Sequence, residues 1–265
     1  METEARLLFL GTGGSMGIPV IGCSCAVCLS DSPYNRRLRP SALLMVKGKN
    51  ILIDVGPDFR IQALMHKIHY LDGILITHLH YDHTAGIDEL RVYYMHHRTT
   101  IPCLLSEATA QELNCRYHYL FAHQGPANQL TSRIELQTLE KERGSVPFLG
   151  MKVGYVTFEH AGIPVNGFRF GNLGYISDIK NYPETIFDDL AGVETLVLSA
   201  LRFQPMSLHF TIEEAVSFAQ KLGAKTTWLT HISHEVDHEA TNRGLPSNIQ
   251  LAYDGLSLPF TATLT

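Results

Sequence analysis

Between Thr77 and His83 the chain reads Thr-His-Leu-His-Tyr-Asp-His, directly after the apolar run from Gly73 to Ile76. Imidazole nitrogens and carboxylate oxygens are ordinary ligands of zinc and manganese. At this spacing one tight turn aims His78 and His80 at one cation, and Asp82 and His83 at a second. Residues of the same types stand where predicted strands end: Asp54 after residues 50–53, His160 after 151–158, Asp178 after 173–177 and His231 after 226–230. Strand ends are rigid and open on one edge of a sheet, so ligands distant in sequence converge there. Cys23, Cys25 and Cys28 form a separate thiol cluster, with no fourth ligand nearby in sequence. A distant histidine is what tetrahedral coordination would then require. His209 precedes a predicted helix whose cap is Thr211, which leaves its imidazole free for chemistry.

The elements that must position these groups follow from periodicity. Residues 7–10, 41–46, 50–53, 101–105, 134–136, 151–158, 166–170, 173–177, 196–198 and 226–230 read as strands. Lys47-Gly48-Lys49 joins the second and third as a hairpin. Residues 60–66, 87–95, 107–121 and 212–222 read as helices, the last opened by the capping box Thr211-Ile-Glu-Glu214 and stopped at Gly223. Segment 122–150 reads as loops around the short strand. Gly11-Thr12-Gly13-Gly14 resembles a phosphate-binding loop, but no helix follows it. Its glycines are expected to let backbone pass close to a site. No fixed-period repeat or linker interrupts the alternation of strands and helices, which predicts a layered α/β architecture in a single domain over 1–265.

Composition narrows the class. A length of 265 residues, 45% hydrophobic and 18% charged, suits a globular protein with a full core. A net charge of -5 argues against a nucleic-acid partner. No apolar run reaches the roughly 20 residues of a membrane helix, so no membrane partner is expected. The charged N-terminal residues do not read as a signal peptide. Five cysteines, three of them clustered, fit metal or thiol chemistry in the cytoplasm and not a disulfide framework. Cys103 and Cys115 read as core thiols.

Asp54, His78-x-His80-x-Asp82-His83, His160, Asp178 and His231 together resemble, in order, the five motifs of the metallo-β-lactamase superfamily, across nearly the whole chain. The resemblance implies a four-layer αβ/βα sandwich with metals at the edge between two sheets. It places His78, His80 and His160 on one metal, Asp82, His83 and His231 on the other, Asp178 as the bridge, and Asp54 behind the turn as an orienting group. Leu10-Gly-Thr-Gly-Gly14, the C-x-C-x-x-C of Cys23, Cys25 and Cys28, and His231-Ile-Ser-His234 are similar to the PhnP-type phosphoribosyl cyclic phosphodiesterases. That resemblance implies a structural zinc on Cys23, Cys25, Cys28 and His234, and a catalytic role for His209, which lies 22 residues ahead of His231 as in that family. It also implies a homodimer.

Two divalent ions, manganese or zinc, would hold a bridging hydroxide and polarise a phosphoryl oxygen. The expected reaction is hydrolysis of a small cyclic phosphodiester, 5-phosphoribosyl 1,2-cyclic phosphate to ribose 1,5-bisphosphate, with His209 and Asp82 as catalytic residues. A protonated His209 would donate to the leaving alkoxide. Arg39, Arg60, Lys180 and Arg202 are candidates for a second phosphate, and spacing selects none of them. A tRNA 3′-processing nuclease should carry a long basic arm, which segment 122–150 does not supply. Hydrolases of 2′,3′-cyclic nucleotides, a PqqB-like protein and a non-catalytic metal-binding protein are the other readings. The complete ligand set favours a working hydrolase over a degenerate, PqqB-like site, and a non-catalytic binder would show metal occupancy without turnover.

Overall fold

Along residues 41–46 and 51–53 nearly every side chain is apolar, so both faces of these strands need cover. The computed structural model, which describes residues 1–121 and 133–265, supplies it in layers. Residues 122–132, the first part of the segment expected to form loops, lie outside the described residues. The strands are β1 (Glu2–Gly11), β2 (Ser41–Val46), β3 (Lys49–Ile53), β4 (Gly73–Leu75), β5 (Ile101–Ser106), β6 (Ile134–Leu139), β7 (Arg143–Phe148), β8 (Met151–His160), β9 (Ile163–Phe170), β10 (Leu173–Ile176), β11 (Thr195–Ser199), β12 (Thr226–Thr230), β13 (Ile249–Leu251) and β14 (Ser257–Thr263). They form two seven-stranded sheets, ordered β14-β1-β2-β3-β4-β5-β6 and β13-β12-β11-β10-β9-β8-β7.

Successive side chains on a strand point to opposite faces, and this alternation sorts the core into three. Ala42, Leu44, Ile51, Ile53 and Leu104 meet Val153, Phe168, Tyr175 and Val197 between the sheets. Leu43, Leu52, Ile74 and Cys103 point the other way, against Phe59, Tyr93 and Leu113 of the first helical layer. Leu196, Leu198 and Leu229 do the same on the second sheet, against Ile212, Ala215, Phe218 and Ala219. Helices, sheet, sheet, helices: the protein is an αβ/βα sandwich.

Each sheet is antiparallel on one side and parallel on the other. The ladders β3-β4-β5-β6 and β10-β11-β12-β13 are parallel. Ligands in open α/β sheets gather beyond the carboxyl ends of parallel strands. The chain leaving β3, β4, β10 and β12 therefore delivers Asp54, the His78–His83 turn, Asp178 and His231 to one edge. The second sheet touches the first there, where the Asn166 N–H donates to the Thr77 carbonyl at 2.9 Å.

Several elements differ from expectation. The first strand begins at Glu2 because pairing with β14 continues to Thr263. The helix expected over 87–95 is a 3-10 turn, Ile87–Leu90, followed by an α-helix, Arg91–His97. The helix expected over 107–121 ends at Arg116 and resumes as a single turn, His118–Phe121, since Tyr117 leaves helical geometry at ψ 38. Strands β4, β7, β13 and β14 have no counterpart among the strands expected from the sequence; β4 falls in the apolar run 73–76 and is central, and the other three lie at sheet edges. The capping box forms as expected: the Glu214 N–H donates to Thr211 Oγ1 at 3.1 Å, and the Thr211 N–H to Glu214 Oε2 at 2.8 Å. Gly223 ends that helix at φ 75.

Candidate metal centre

The expected residues meet. His78 and His80 lie on the extended segment after β4, and Asp82 and His83 on a single helical turn, Tyr81–Thr84. His160 is the last residue of β8. Asp54, Asp178 and His231 follow strands directly, and all three are left-handed, at φ 59, 53 and 59. Non-glycine residues in that region cost of order 1–3 kcal/mol each. The cost turns each side chain sharply off its strand toward the common edge.

Asp178 is the hub. Its Oδ2 lies 3.2 Å from His83 Nε2, and its Oδ1 lies 3.3 Å from His231 Nε2 and 3.4 Å from His209 Nδ1. Asp82 Oδ2 is 3.4 Å from His231 Nε2 and 3.5 Å from His83 Nε2. Three donor sets have all their ligand atoms within 4.8 Å of one another: Asp82, His83 and His231; His78, His83 and Asp178; His160, Asp178 and His209. The first matches the expected ligands of one metal. The other expected group is close but partitioned differently. The His78 and His80 rings are 4.6 Å apart and those of His80 and His160 5.2 Å, yet His80 joins none of the sets and is half-buried. His209, expected only as a catalytic group, comes as near Asp178 as the ligands do.

The donor atoms fit cations and little else. His78 Nε2 is sealed from solvent without a hydrogen-bond partner, and His83 Nε2, equally sealed, faces Asp178 Oδ2 at 3.2 Å without forming an aligned hydrogen bond. An orphaned buried polar atom costs roughly 1–3 kcal/mol. Several such nitrogens beside two buried carboxylates are satisfied together by a divalent ion.

Behind them Asp54 fixes the turn. It is fully buried, accepts from the Thr77 N–H and Thr77 Oγ1 at 2.8 Å each, and contacts His83 Nδ1 at 2.7 Å. A proton on Nδ1 satisfies this contact and turns the Nε2 lone pair toward the site, the carboxylate–histidine device that orients metal ligands. Thr77 was not singled out from the sequence, although it opens the motif. Two glycines allow close approach. A Cβ on Gly14 would come within 2.9 Å of Leu201 Cδ1 and 3.4 Å of His231 Nδ1, and one on Gly56 within 2.1 Å of the Asp82 carbonyl oxygen. The glycine turn thus lets backbone pass beside the site, as expected. It is held by Arg37, a buried guanidinium without a sequence signal, which donates to Thr12 Oγ1 at 2.7 Å and to the Ala252 carbonyl at 2.5 Å.

Burial and charge set the protonation. Burial opposes charge on Asp178, but His231 and His83 outweigh it and hold the carboxyl well below its usual range. Asp82 is lowered in the same way by His83 and His231. Burial pushes Asp54 upward. His78 and His80 are lowered by burial, and His209 is lowered to about 3 by burial and the neighbouring His231. Burial therefore favours the neutral form of the resting His209, and the proton it is expected to donate would have to arrive with substrate. Burial also opposes charge on His83 and His231, but Asp82 and Asp178 outweigh it and raise both.

The thiols form a second centre. Cys23, Cys25 and Cys28 Sγ lie 3.2, 3.6 and 3.5 Å from His234 Nδ1. Zinc at about 2.3 Å from sulfur and about 2.0 Å from nitrogen gives a tetrahedral sulfur–nitrogen edge of roughly 3.6 Å. The Cys28 N–H bond to the Cys25 sulfur, together with its thiol and imidazole neighbours, lowers Cys25 to about 6, while burial raises Cys28. Beside this cluster Gly13 and Ile232 pair as a parallel bridge, which fixes the His231 backbone against the N-terminal loop.

The family model for the beta-lactamase superfamily domain matches residues 49–232. The chain belongs to this superfamily. Within it, the crystal structure of a diphosphatase of the PhnP family is 40% identical and superposes with a TM-score of 0.92, covering 100% of both chains, which places the chain in the PhnP group. An octanoyltransferase from Porphyromonas gingivalis is 32% identical over 260 residues, 95% of this chain and 51% of the relative. The chain thus spans about half the length of that relative. Zinc-bound PqqB from Methylobacterium extorquens, at 16% identity, shares the fold with a TM-score of 0.75, covering 96% of this chain and 99% of PqqB.

Two outcomes follow. Asp54→Asn should weaken divalent-metal affinity by about 10- to 100-fold in chelator competition, because His83 loses its anchor; unchanged affinity would remove Asp54 from the site. Because His83 and His231 hold protons above the ordinary histidine range, a metal must displace them. Manganese added to metal-free protein near pH 7 should acidify a lightly buffered solution, and its affinity should fall as pH drops through the raised values. Affinity independent of pH between about 5 and 8 would contradict these shifts.

Proposed function

We propose that the protein is a metal-dependent phosphodiesterase that opens 5-phosphoribosyl 1,2-cyclic phosphate to ribose 1,5-bisphosphate. The observation that carries the reading is Asp178, whose two oxygens face His83 on one side and His231 and His209 on the other. Such a carboxylate suits a bridge between two cations, with Asp82, His83 and His231 on one, and His78, His80 and His160 on the other. When bound, the pair would activate water and neutralise charge on a phosphoryl group.

The chain's own residues do the rest. Asp54 holds the His83 tautomer, and the left-handed backbone at Asp178 and His231 fixes their aim before substrate arrives. Burial of His209 keeps water from its ring. A phosphoryl anion placed beside that ring favours its protonated form, against the burial that disfavours it at rest. Water attacks phosphorus, the bond from phosphorus to O2 breaks, and His209 gives its proton to the departing oxygen.

A second reading is cleavage of a phosphoanhydride, favoured by the 40% identical PhnP-family structure, which is that of a diphosphatase. Both reactions place a tetrahedral phosphorus at one site and differ in the leaving group. The free thiols and the Cys₃His geometry support one structural zinc and a reducing, cytoplasmic setting. No helix among the described residues is long and apolar enough to cross a membrane. A small anionic molecule is the partner these features suit best.

Phosphorus NMR of the cyclic phosphate with manganese-loaded protein should show conversion to the bisphosphate. His209→Ala should slow it by about 100-fold or more. Cleavage of a diphosphate ester with the cyclic phosphate left intact would shift the assignment to the second reading. Metal analysis should find one zinc resistant to mild chelation, lost in Cys23→Ser; equal zinc in the variant would dismiss the structural site.

A further inference from the structure

The histidines of the metal centre are not all anchored alike. His83 has Asp54 behind its ring, 2.7 Å from Nδ1. His231 has no such support: its Nδ1 is sealed from solvent without a hydrogen-bond partner among the described residues. A ligating histidine ordinarily donates its second nitrogen to an oxygen, which fixes the angle of the ring. The His231 ring is instead stacked between those of His83 and His209, at centroid distances of 5.7 and 5.1 Å and interplanar angles of 14° and 24°. Stacked rings tolerate offsets, so stacking sets the plane of the ring and leaves the height of Nε2 over the site to the backbone.

That backbone is gripped through the next residue. The Ile232 N–H donates to the Thr12 carbonyl, and the Gly14 N–H donates to the Ile232 carbonyl, both at 2.9 Å. His231 needs the grip because its left-handed φ of 59 persists only where neighbours are held. Thr12 is in turn engaged at every polar group. Its N–H and its hydroxyl both donate to Asp254 Oδ1, at 2.8 and 2.7 Å, and the hydroxyl accepts from Arg37 Nη1 at 2.7 Å. The other Asp254 oxygen accepts from the Leu38 N–H at 2.7 Å, while the Leu38 carbonyl accepts from the Gly13 N–H at 2.9 Å. Arg37 continues to His238 Nδ1 at 2.9 Å, so the far side of the network is tied down as well. Burying opposite charges is a costly way to close a fold, and apolar residues of similar volume often serve as well. Here both charges converge on one buried hydroxyl and fix its rotor, on the residue that holds the chain leaving His231.

We propose that Asp254, acting with Arg37 through Thr12, is a positioning residue for His231, and does through the main chain what Asp54 does for His83 through the ring. Each histidine of the Asp82, His83 and His231 set then has a carboxylate behind it, one in contact and one relayed. This role rests on the reading of His231 as a metal ligand.

The test is manganese affinity by chelator competition. Thr12→Val keeps the side-chain shape and deletes only the hydroxyl. It should weaken binding by about tenfold, Asp254→Asn should weaken it at least as much, and Thr12→Ser, which keeps the hydroxyl, should restore it. His231→Ala should weaken binding on its own, and adding Thr12→Val or Asp254→Asn to it should change the residual affinity no further, because the relay ends at that ring. A purely stabilising network predicts the opposite: the same loss with and without His231, following the melting temperature. That result overturns the proposal, as does wild-type affinity in Thr12→Val and Asp254→Asn. Should one of these two fail to fold, the other, alone and paired with His231→Ala, decides. Unchanged affinity in His231→Ala would overturn the ligand reading and the relay with it, whereas weakened binding there beside an unaffected Thr12→Val and Asp254→Asn overturns the relay alone.

Discussion

The governing constraint is that the polar edge cannot satisfy itself. Nitrogens and carboxylates are packed out of reach of water, several without partners, because their lone pairs converge on shared points. Such a cluster would relax or fill with water if the side chains were free to turn. Three left-handed residues, the Asp54 contact to His83 and the backbone tie between Asn166 and Thr77 deny that freedom. The sandwich is stable enough to carry this burden because three apolar cores surround the edge. The fold thus maintains an electrostatic deficit that a cation removes.

Protonation in the site follows from the same crowding. Burial pushes His78, His80 and His209 toward the neutral form, whereas the carboxylate neighbours of His83 and His231 push these two toward the protonated form. One small region thus contains imidazoles pushed in opposite directions. Groups so separated are suited to different tasks, some to bind a cation and one to exchange a proton. The neutral His209 matters most here, since it must acquire its proton in the presence of substrate and not before.

The site was legible because its residues announce themselves by type: histidine and aspartate at strand ends, and three cysteines within six residues. Central strands were legible too: β2 and most of β3 are apolar, β12 is rich in the β-branched threonine, and the bounds of all three match the expectation to within a residue. The three-residue β4 was too short to show a period, and strands β7, β13 and β14 were not legible either. Each is an edge strand, where one side needs no ladder partner, so β7 tolerates Gly144 and Pro147 and β14 tolerates Pro259. Arg37 was hidden for another reason. Its role depends on Thr12, Ala252 and His238, which only the folded chain gathers. The grouping of ligands was likewise beyond spacing, because His160 meets His209 only through the returning loop at Arg202.

The cysteine cluster and His234 stand 206 to 211 positions apart. A cation held there closes a loop of that length, and on the chain-entropy account a cross-link of such reach removes about 5 kcal/mol of freedom from the unfolded chain. Long-range closures of this kind form late, after local hairpins and helices. His231 sits three residues from that latch, so the reactive edge receives its last donor only when the opposite ends of the chain have met. Nascent chains would carry most of the histidines and yet offer no assembled centre, which keeps a loosely bound and indiscriminate metal from appearing before the fold is complete.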